Sequence, residues 1–141
     1  MIVLDTSVLS LAFRRRRRGA GDPPTVAALR KLIADDVPLA VPGIVLQELL
    51  SGVRDREQFR RLRASRAGFP VILAQEAHHV RAARINNACR SHGVVCSAID
   101  ALIAAVTIES DGSLFTTDLD FQRIAPHCGL KLAGLLRKDE R

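Results

Sequence analysis

Residues 2–9 read IVLDTSVL, and this short stretch decides the fold prediction. Its first three residues are aliphatic and predict a short buried strand, Ile2–Leu4, that ends directly before Asp5. The next residues, Ser7–Phe13, predict a helix with Thr6 or Ser7 as its N-cap. A carboxylate next to a buried strand is costly to desolvate unless another group compensates its charge. The significance of Asp5 therefore depends on whether other acids elsewhere in the chain are placed to meet it.

The pattern of a short apolar run followed by a helix recurs along the chain. Further strands are predicted by three such runs, Leu39–Val41, Ser113–Thr116 and Leu130–Leu132, and Phe69–Leu73 is either a short apolar link or another strand. Amphipathic or apolar segments of helical length separate them. Short buried strands that alternate with helices are typical of a parallel sheet covered on both faces. The sequence therefore predicts an α/β fold, an α/β/α sandwich with a short parallel central sheet flanked by helices.

Length and composition limit the class of protein. The chain has 141 residues, 48% of them hydrophobic, which predicts one globular domain over residues 1–141. The formal net charge of +6 favours polyanionic partners such as nucleic acid. With no Trp and no Tyr, base stacking on aromatic side chains is not expected to dominate binding. Three cysteines without framework spacing, no signal peptide and no long apolar segment predict a cytoplasmic protein that does not span a membrane.

Four acidic residues in apolar surroundings point to a metal site. Asp5 and Asp118 each follow a predicted strand, where ligands of parallel sheets bind. Glu48 lies among core positions of the helix PGIVLQELLSG, and Asp100 lies in SAIDALIAAV, where nearly every neighbour is small or aliphatic. These segments contain no Lys or Arg that would neutralise the acids. A hard divalent cation would do so, because it prefers oxygen ligands.

Each acid also has a purely structural interpretation. Asp5 is a plausible turn residue, Asp118 a plausible helix N-cap, and Glu48 a plausible solvated side chain. Asp100 has the spacing of a capping box with Ser97. Because all four acids are predicted at the same end of the sheet, the metal site is the stronger interpretation.

Four motifs together resemble those of PIN-domain nucleases, and in particular the VapC toxins of toxin–antitoxin pairs. They are, in chain order, IVLDTSVL, PGIVLQELLSG, SAIDALIAAV and LFTTDLDF. The resemblance runs from Met1 to about Leu135. It implies an endoribonuclease, a hydrolase that depends on Mg²⁺ or Mn²⁺ and leaves a 5′-phosphate and a 3′-hydroxyl. It also implies a cognate VapB-like antitoxin and a homodimer, for which the apolar positions of Val26–Ile33 and Val45–Val53 are candidates.

The resemblance assigns roles to individual residues. The catalytic acids are Asp5, Glu48, Asp100 and Asp118, and three of them, Asp5, Asp100 and Asp118, are the expected metal ligands. Hydroxyl groups that support the site fall on Thr6, Ser7 and Thr116. Asp120 matches a second acid that many members have near the fourth position, where Asp118 is preferred.

The arginine run departs from the family pattern, because it is longer and more basic than expected. The run is predicted to contact RNA through Arg14, Arg15, Arg16, Arg17 and Arg18. A solvated loop, or a docking site for an acidic antitoxin tail, is an equal alternative. Further contacts are expected from basic residues of the charged segment 54–67, namely Arg54, Arg56, Arg60, Arg61 and Arg63.

A second departure from the family pattern lies before Asp100. Many family members carry an extra acid in this segment, which here reads VCSAID, so Ser97 is the polar residue at that place.

Two other interpretations of the sequence are weaker. Cys89, His92 and Cys96, with His127 or Cys128, include zinc-binding residue types, but their order is unlike a usual finger. A non-catalytic RNA- or protein-binding module with the same fold is the alternative to the enzyme, although such a module has no need of buried carboxylates.

Overall fold

The computed structural model describes residues 1–14, 19–65 and 68–134. Four strands form its sheet: β1 (Ile2–Leu4), β2 (Leu39–Pro42), β3 (Val71–Ile72) and β4 (Ser113–Phe115). Seven helices accompany them in the described residues: α1 (Thr6–Phe13), α2 (Pro24–Ala34), α3 (Gly43–Leu50), α4 (Arg56–Ser65), α5 (Glu76–Ser91), α6 (Ala98–Glu109) and α7 (Asp120–Ile124). A short 3-10 turn, Ala125–His127, follows α7.

The strands pair in the order β3-β2-β1-β4, and every pairing is parallel. Helices connect the strands and flank the sheet, so the predicted α/β sandwich is confirmed. The two central strands are buried, with Val3 and Leu4 fully inaccessible. Because all strands run the same way, the residues that follow β1, β2 and β4 lie at one edge of the sheet.

Strand β4 lies next to β1 because Gly112 allows the approach. A Cβ atom at this position would lie 3.1 Å from the Met1 carbonyl oxygen and 3.1 Å from Val3 Cγ2. The amide of Ser113 donates to the same carbonyl at 3.0 Å and begins the pairing. A residue larger than glycine would therefore push apart the two strands that carry Asp5 and Asp118.

Two local predictions were wrong. The N-cap of α1 is Asp5 rather than Thr6 or Ser7, and its carboxylate makes no capping hydrogen bond. The predicted strand Leu130–Leu132 is reduced to one parallel bridge between Leu132 and Leu114. Two hydrogen bonds, from the Leu114 amide to Lys131 and from the Ala133 amide to Leu114, account for it. Three apolar residues make too short a run to extend the sheet beyond that bridge.

The apolar residues considered for a dimer interface are mostly part of the core. Val26, Leu29, Val45 and Leu49 are all buried, whereas Ile33 is 47% exposed. Their apolar character is explained by packing within the chain. No helix in the described ranges is long and apolar enough to cross a membrane. Four of the five arginines of the predicted RNA contact, Arg15 to Arg18, lie outside the described residues.

Candidate active site

Asp5 is fixed at the end of β1 by two hydroxyl groups. Its side chain is buried, with 5% of the residue exposed. The hydroxyls of Ser7 and Thr116 both donate to its Oδ2 atom, at 2.8 and 2.7 Å. Each hydroxyl also accepts a backbone amide, from Thr117 and Asp118 respectively, both at 3.0 Å. These two bonds explain why the Asp5 carboxylate makes no capping hydrogen bond to α1, although Asp5 occupies the N-cap position. No described group donates to its second oxygen, Oδ1.

The backbone and hydroxyl hydrogen bonds around Asp5 join β1, α1 and the end of β4. The Asp5 amide donates to the Phe115 carbonyl at 3.0 Å. Both hydroxyl hydrogens are used on Asp5, so the 3.3 Å separation of Ser7 Oγ from Thr116 Oγ1 is a contact rather than a further bond. The family-derived supporting roles of Ser7 and Thr116 thus have a direct geometric counterpart.

Glu48 lies on the same side of the sheet edge, on α3. Its Oε1 atom accepts a hydrogen bond from the Thr6 hydroxyl at 2.9 Å, across 42 positions of sequence. The side chain is only partly buried. Glu48 is therefore oriented by α1 rather than left as a freely solvated group on its helix.

Asp100 enters the site from the first turn of α6. Ser97 is the N-cap of that helix, and its Oγ atom accepts the Asp100 amide at 3.0 Å. Among the described residues no reciprocal bond runs from the Asp100 carboxylate to the Ser97 amide, so only half of the predicted capping box forms. Burial, and after it the charges of Asp118 and Asp5, raise the pKa of Asp100 from 3.8 to about 6, although a hydrogen bond with the Ser97 side chain opposes the shift.

Asp118 and Asp120 follow β4 and complete the acidic edge. Asp118 Oδ1 accepts the Asp120 amide at 2.9 Å, but the N-cap of α7 is Leu119, so the structural interpretation of Asp118 as the N-cap of this helix is wrong. Arg123 donates to Asp120 Oδ1 at 3.2 Å, on the exposed side of the short helix. Both acids are thereby held at the sheet edge by backbone and side-chain contacts of their own segment.

Three carboxylates approach one another closely enough to share a cation. Asp100, Asp118 and Asp120 each offer an oxygen within 4.8 Å of the other two. This set differs from the one expected by resemblance, because Asp120 takes the place of Asp5. Asp5 lies near enough for its charge to raise the pKa of Asp100. In the sequence, Asp120 is identified by its position two residues after Asp118.

The donor set suits a hard divalent cation. All the groups are carboxylate oxygens, the ligands preferred by Mg²⁺ and Mn²⁺. Their mutual repulsion, visible in the raised pKa of Asp100, would be relieved by a positive charge placed between them. Oδ1 of Asp5 is a further oxygen that no described donor occupies.

The cysteine and histidine residues do not form a comparable site. Within the described ranges, no set of three that includes Cys or His meets the same 4.8 Å limit. Cys89, Cys96 and Cys128 are free thiols. Burial raises the pKa of Cys96 to about 12, and the neighbouring Cys89 thiol adds to the effect. A thiol with this pKa is protonated at neutral pH when no metal is bound, so Cys96 is not a nucleophile there.

Comparisons with known proteins agree with this geometry. The PIN domain family model matches residues 2–126. Ribonuclease VapC11 of Mycobacterium tuberculosis is 31% identical over 136 residues, which cover 95% of this chain and 98% of the relative. The confirmed resemblance thus extends to VapC ribonucleases as well as to the PIN domain itself.

Solved structures of other proteins have the same fold. VapBC2 from Rickettsia felis, bound to a DNA fragment from its promoter, superposes with a TM-score of 0.75 at 22% identity over 94% of this chain and 98% of that chain. A toxin–antitoxin complex from Klebsiella pneumoniae gives a TM-score of 0.66 at 21% identity over 86% and 90%. With the family model matching nearly the whole chain, the protein belongs to the PIN-domain family.

Proposed function

We propose that this protein is a VapC-type toxin, an endoribonuclease that hydrolyses RNA phosphodiester bonds with the help of Mg²⁺ or Mn²⁺. One observation carries the proposal: acids from α6 and from the segment after β4 share a 4.8 Å cluster, beside the buried Asp5 that follows β1. A binding module would not require a group of carboxylates whose charges add to the burial that raises the pKa of Asp100. The similarity to ribonuclease VapC11 supports RNA as the substrate class.

The residues of the site divide into holding and proton-transfer roles. Asp100, Asp118 and Asp120 would hold the cation, with Asp5 beside them, and Ser7 and Thr116 would keep the Asp5 carboxylate in place. When bound, a divalent cation lowers the pKa of an attacking water and offsets charge on the phosphate. Glu48, oriented by Thr6, would accept the proton of that water. The expected products carry a 5′-phosphate and a 3′-hydroxyl.

Partners form the second part of the proposal. Several proteins with this fold were solved as toxin–antitoxin or VapBC complexes, which supports control by a VapB-like antitoxin. We expect co-expression with the cognate antitoxin to suppress RNA cleavage and to allow co-purification of the two chains. The homodimer and the cytoplasmic location stay predictions. Light scattering of the free protein at micromolar concentration would test the dimer.

Cleavage of total cellular RNA tests the enzymatic proposal. The purified, antitoxin-free protein is incubated with Mg²⁺, with EDTA, and as the variants Asp100→Asn and Asp36→Asn. Asp36→Asn is the control, because it makes the same chemical change in an exposed turn before β2, outside the acidic edge. We expect cleavage that requires Mg²⁺, survives Asp36→Asn and falls at least about a hundredfold in Asp100→Asn. Cleavage that persists in Asp100→Asn would contradict the assigned site.

A further inference from the structure

A cavity beside the acidic edge has no role in the chemistry described above. It measures about 370 Å³ and lies between α5 and the loop that joins α5 to α6. Six residues line it: Asn86, Arg90, Gly93, Val94, Val95 and Cys96. Its volume falls within the range of about 300–1,000 Å³ that is common for small-ligand sites. We call it the loop cavity.

The loop cavity adjoins the start of α6, the helix that carries Asp100. Cys96 lines it and directly precedes Ser97, the N-cap of α6, and Asp100 follows in the first turn of that helix. Asp100 lies near enough for its charge to contribute to the raised pKa of the Cys96 thiol. A ligand in the cavity would therefore lie beside the segment that brings Asp100 to the acidic edge.

The wall of the loop cavity is fixed within the protein. Asn86 donates from Nδ2 to the Cys96 carbonyl at 2.9 Å, and the Val94 amide donates to the Cys89 carbonyl at 2.8 Å. Gly93 turns the chain with a φ of +70°, a conformation that side chains disfavour. Asn86 has no signal in the sequence, because its contact spans ten positions from one element to the next. The cavity thus exists before any ligand binds.

Two lining residues offer complementary chemistry. Arg90 is exposed and bonds to the neutral Asn87 Oδ1 at 3.0 Å, and no described carboxylate lies within ion-pair distance of its guanidinium. Val95 is an aliphatic residue with 93% of its surface exposed. A cation beside an apolar surface suits a phosphate beside the flat face of a base, and Arg planes also stack on unpaired bases.

We propose that the loop cavity binds one unpaired nucleotide of the RNA, next to the phosphodiester that is cut, with Arg90 at its phosphate and Val95 against its base. The proposal rests on the proposed ribonuclease function and adds to it a substrate subsite. Arg90 and Val95 would then determine base preference at one position beside the cut. A chain with few aromatic residues would achieve this recognition without an aromatic platform.

Kinetics of paired variants test the subsite. Arg90→Gln is compared with Arg84→Gln, because Arg84 is exposed on the same helix but does not line the cavity. With an oligonucleotide that contains a mapped wild-type cut site, we expect Arg90→Gln to raise KM about tenfold and to leave kcat within twofold. Arg84→Gln should leave both values within twofold. Equal KM values for the two variants would overturn the proposal while leaving the ribonuclease intact.

A second pair of variants tests base recognition. Val95→Ser is compared with Val80→Ser, a half-exposed valine on α5 that does not line the cavity. Cleavage of a pool randomised around the cut site should show discrimination at one flanking position reduced about threefold in Val95→Ser, and unchanged in Val80→Ser. An unaltered preference profile in Val95→Ser would overturn the assignment of the base.

Binding measurements separate this proposal from the enzymatic one. If the wild-type protein cuts no RNA, the proposed function fails, and the subsite is then judged by anisotropy of a labelled ten-nucleotide RNA in EDTA. Binding about tenfold weaker in Arg90→Gln than in Arg84→Gln would support the subsite, and equal binding would overturn it. Loss of antitoxin binding alone, with RNA binding unchanged in Arg90→Gln, would assign the cavity to a protein partner and would also overturn it.

Discussion

Asp100 carries a charge that the metal-free fold disfavours. Its pKa is about 6 in the folded protein against 3.8 for an ordinary Asp, chiefly because of burial and then because of Asp118 and Asp5. The folded state therefore holds a proton more tightly than the unfolded chain. The ionised group destabilises the fold above pH 6, and that cost disappears below about pH 4, where the group is protonated in both states.

Replacing this charge should stabilise the metal-free protein. The pKa difference corresponds to about 3 kcal/mol at most, and solvent screening of the partly exposed group reduces it to about 1–2 kcal/mol. We expect Asp100→Asn to raise the free energy of unfolding by this amount at pH 7.5, with no difference from wild type at pH 3. Urea denaturation in EDTA measures both values.

Asp36→Asn is the matched control, because it makes the same change at an exposed turn. It should shift stability by less than about 0.5 kcal/mol at either pH. A less stable Asp100→Asn at pH 7.5 would mean that the carboxylate makes favourable contacts that outweigh its burial and the repulsion of its neighbours.

Thr116 affects the site through Asp5. Thr116→Val keeps the shape of the side chain but removes the hydroxyl that donates to Asp5 Oδ2 at 2.7 Å. We expect Mg²⁺ to bind about tenfold more weakly, the usual size of an effect on the support of a metal site. Isothermal titration measures it. Thr117→Val is the control one residue further on, since the Thr117 side chain makes no hydrogen bond among the described residues, and an equal loss there would contradict the assigned role.

At the scale of secondary structure, helix and strand predictions succeeded where local sequence decides the outcome. Apolar runs identified β1 and β4, and the serine at 97 correctly marked the start of α6. The N-cap of α1 could not be predicted, because the Asp5 carboxylate accepts the hydroxyls of Ser7 and Thr116 instead of a helix amide. Thr116 lies 111 positions away from Asp5 in the sequence. Asp120 was likewise assigned a lesser role, since spacing alone does not show which carboxylates converge.

Two helices should differ strongly in stability. Helix α6 buries six residues, whereas α4 buries none and is bordered by charged side chains. Amides open locally where little apolar surface is buried. We expect α4 amides to exchange with deuterium at least about a hundredfold faster than α6 amides in the free protein, as measured by exchange mass spectrometry. Equal protection of the α4 and α6 amides from exchange would show that α4 is covered by another chain. If that chain is a second copy of the protein, the α4 amides should exchange faster when the measurement is repeated at tenfold lower protein concentration.

At the scale of the whole molecule, the distribution of charge presents an apparent conflict. The site is a cluster of carboxylates that repels RNA, yet the chain as a whole carries a net charge of +6. Several cations outside the site have a carboxylate partner within the chain: Arg60 and Arg61 share Glu57, and Arg81 pairs with Glu109. Attraction of RNA must therefore depend on cations without such partners, and the arginine run beginning at Arg14 is the densest group of positive charge in the sequence.

Salt dependence of RNA binding measures how many of these arginines contact phosphates. Each phosphate contact to a single strand contributes about −0.7 to the slope of log K against log salt concentration. In an Asp100→Asn background, where RNA stays uncut, we expect replacement of all five arginines 14–18 by Gln to flatten the slope by at least about 1.4, the equivalent of two contacts. Replacement of the paired Arg60 and Arg61 by Gln should change it by less than half of that. An unchanged slope in the five-arginine variant would contradict RNA contact by the run. Weaker antitoxin binding by that variant would then assign the run to the antitoxin, and unchanged antitoxin binding would identify it as a solvated loop.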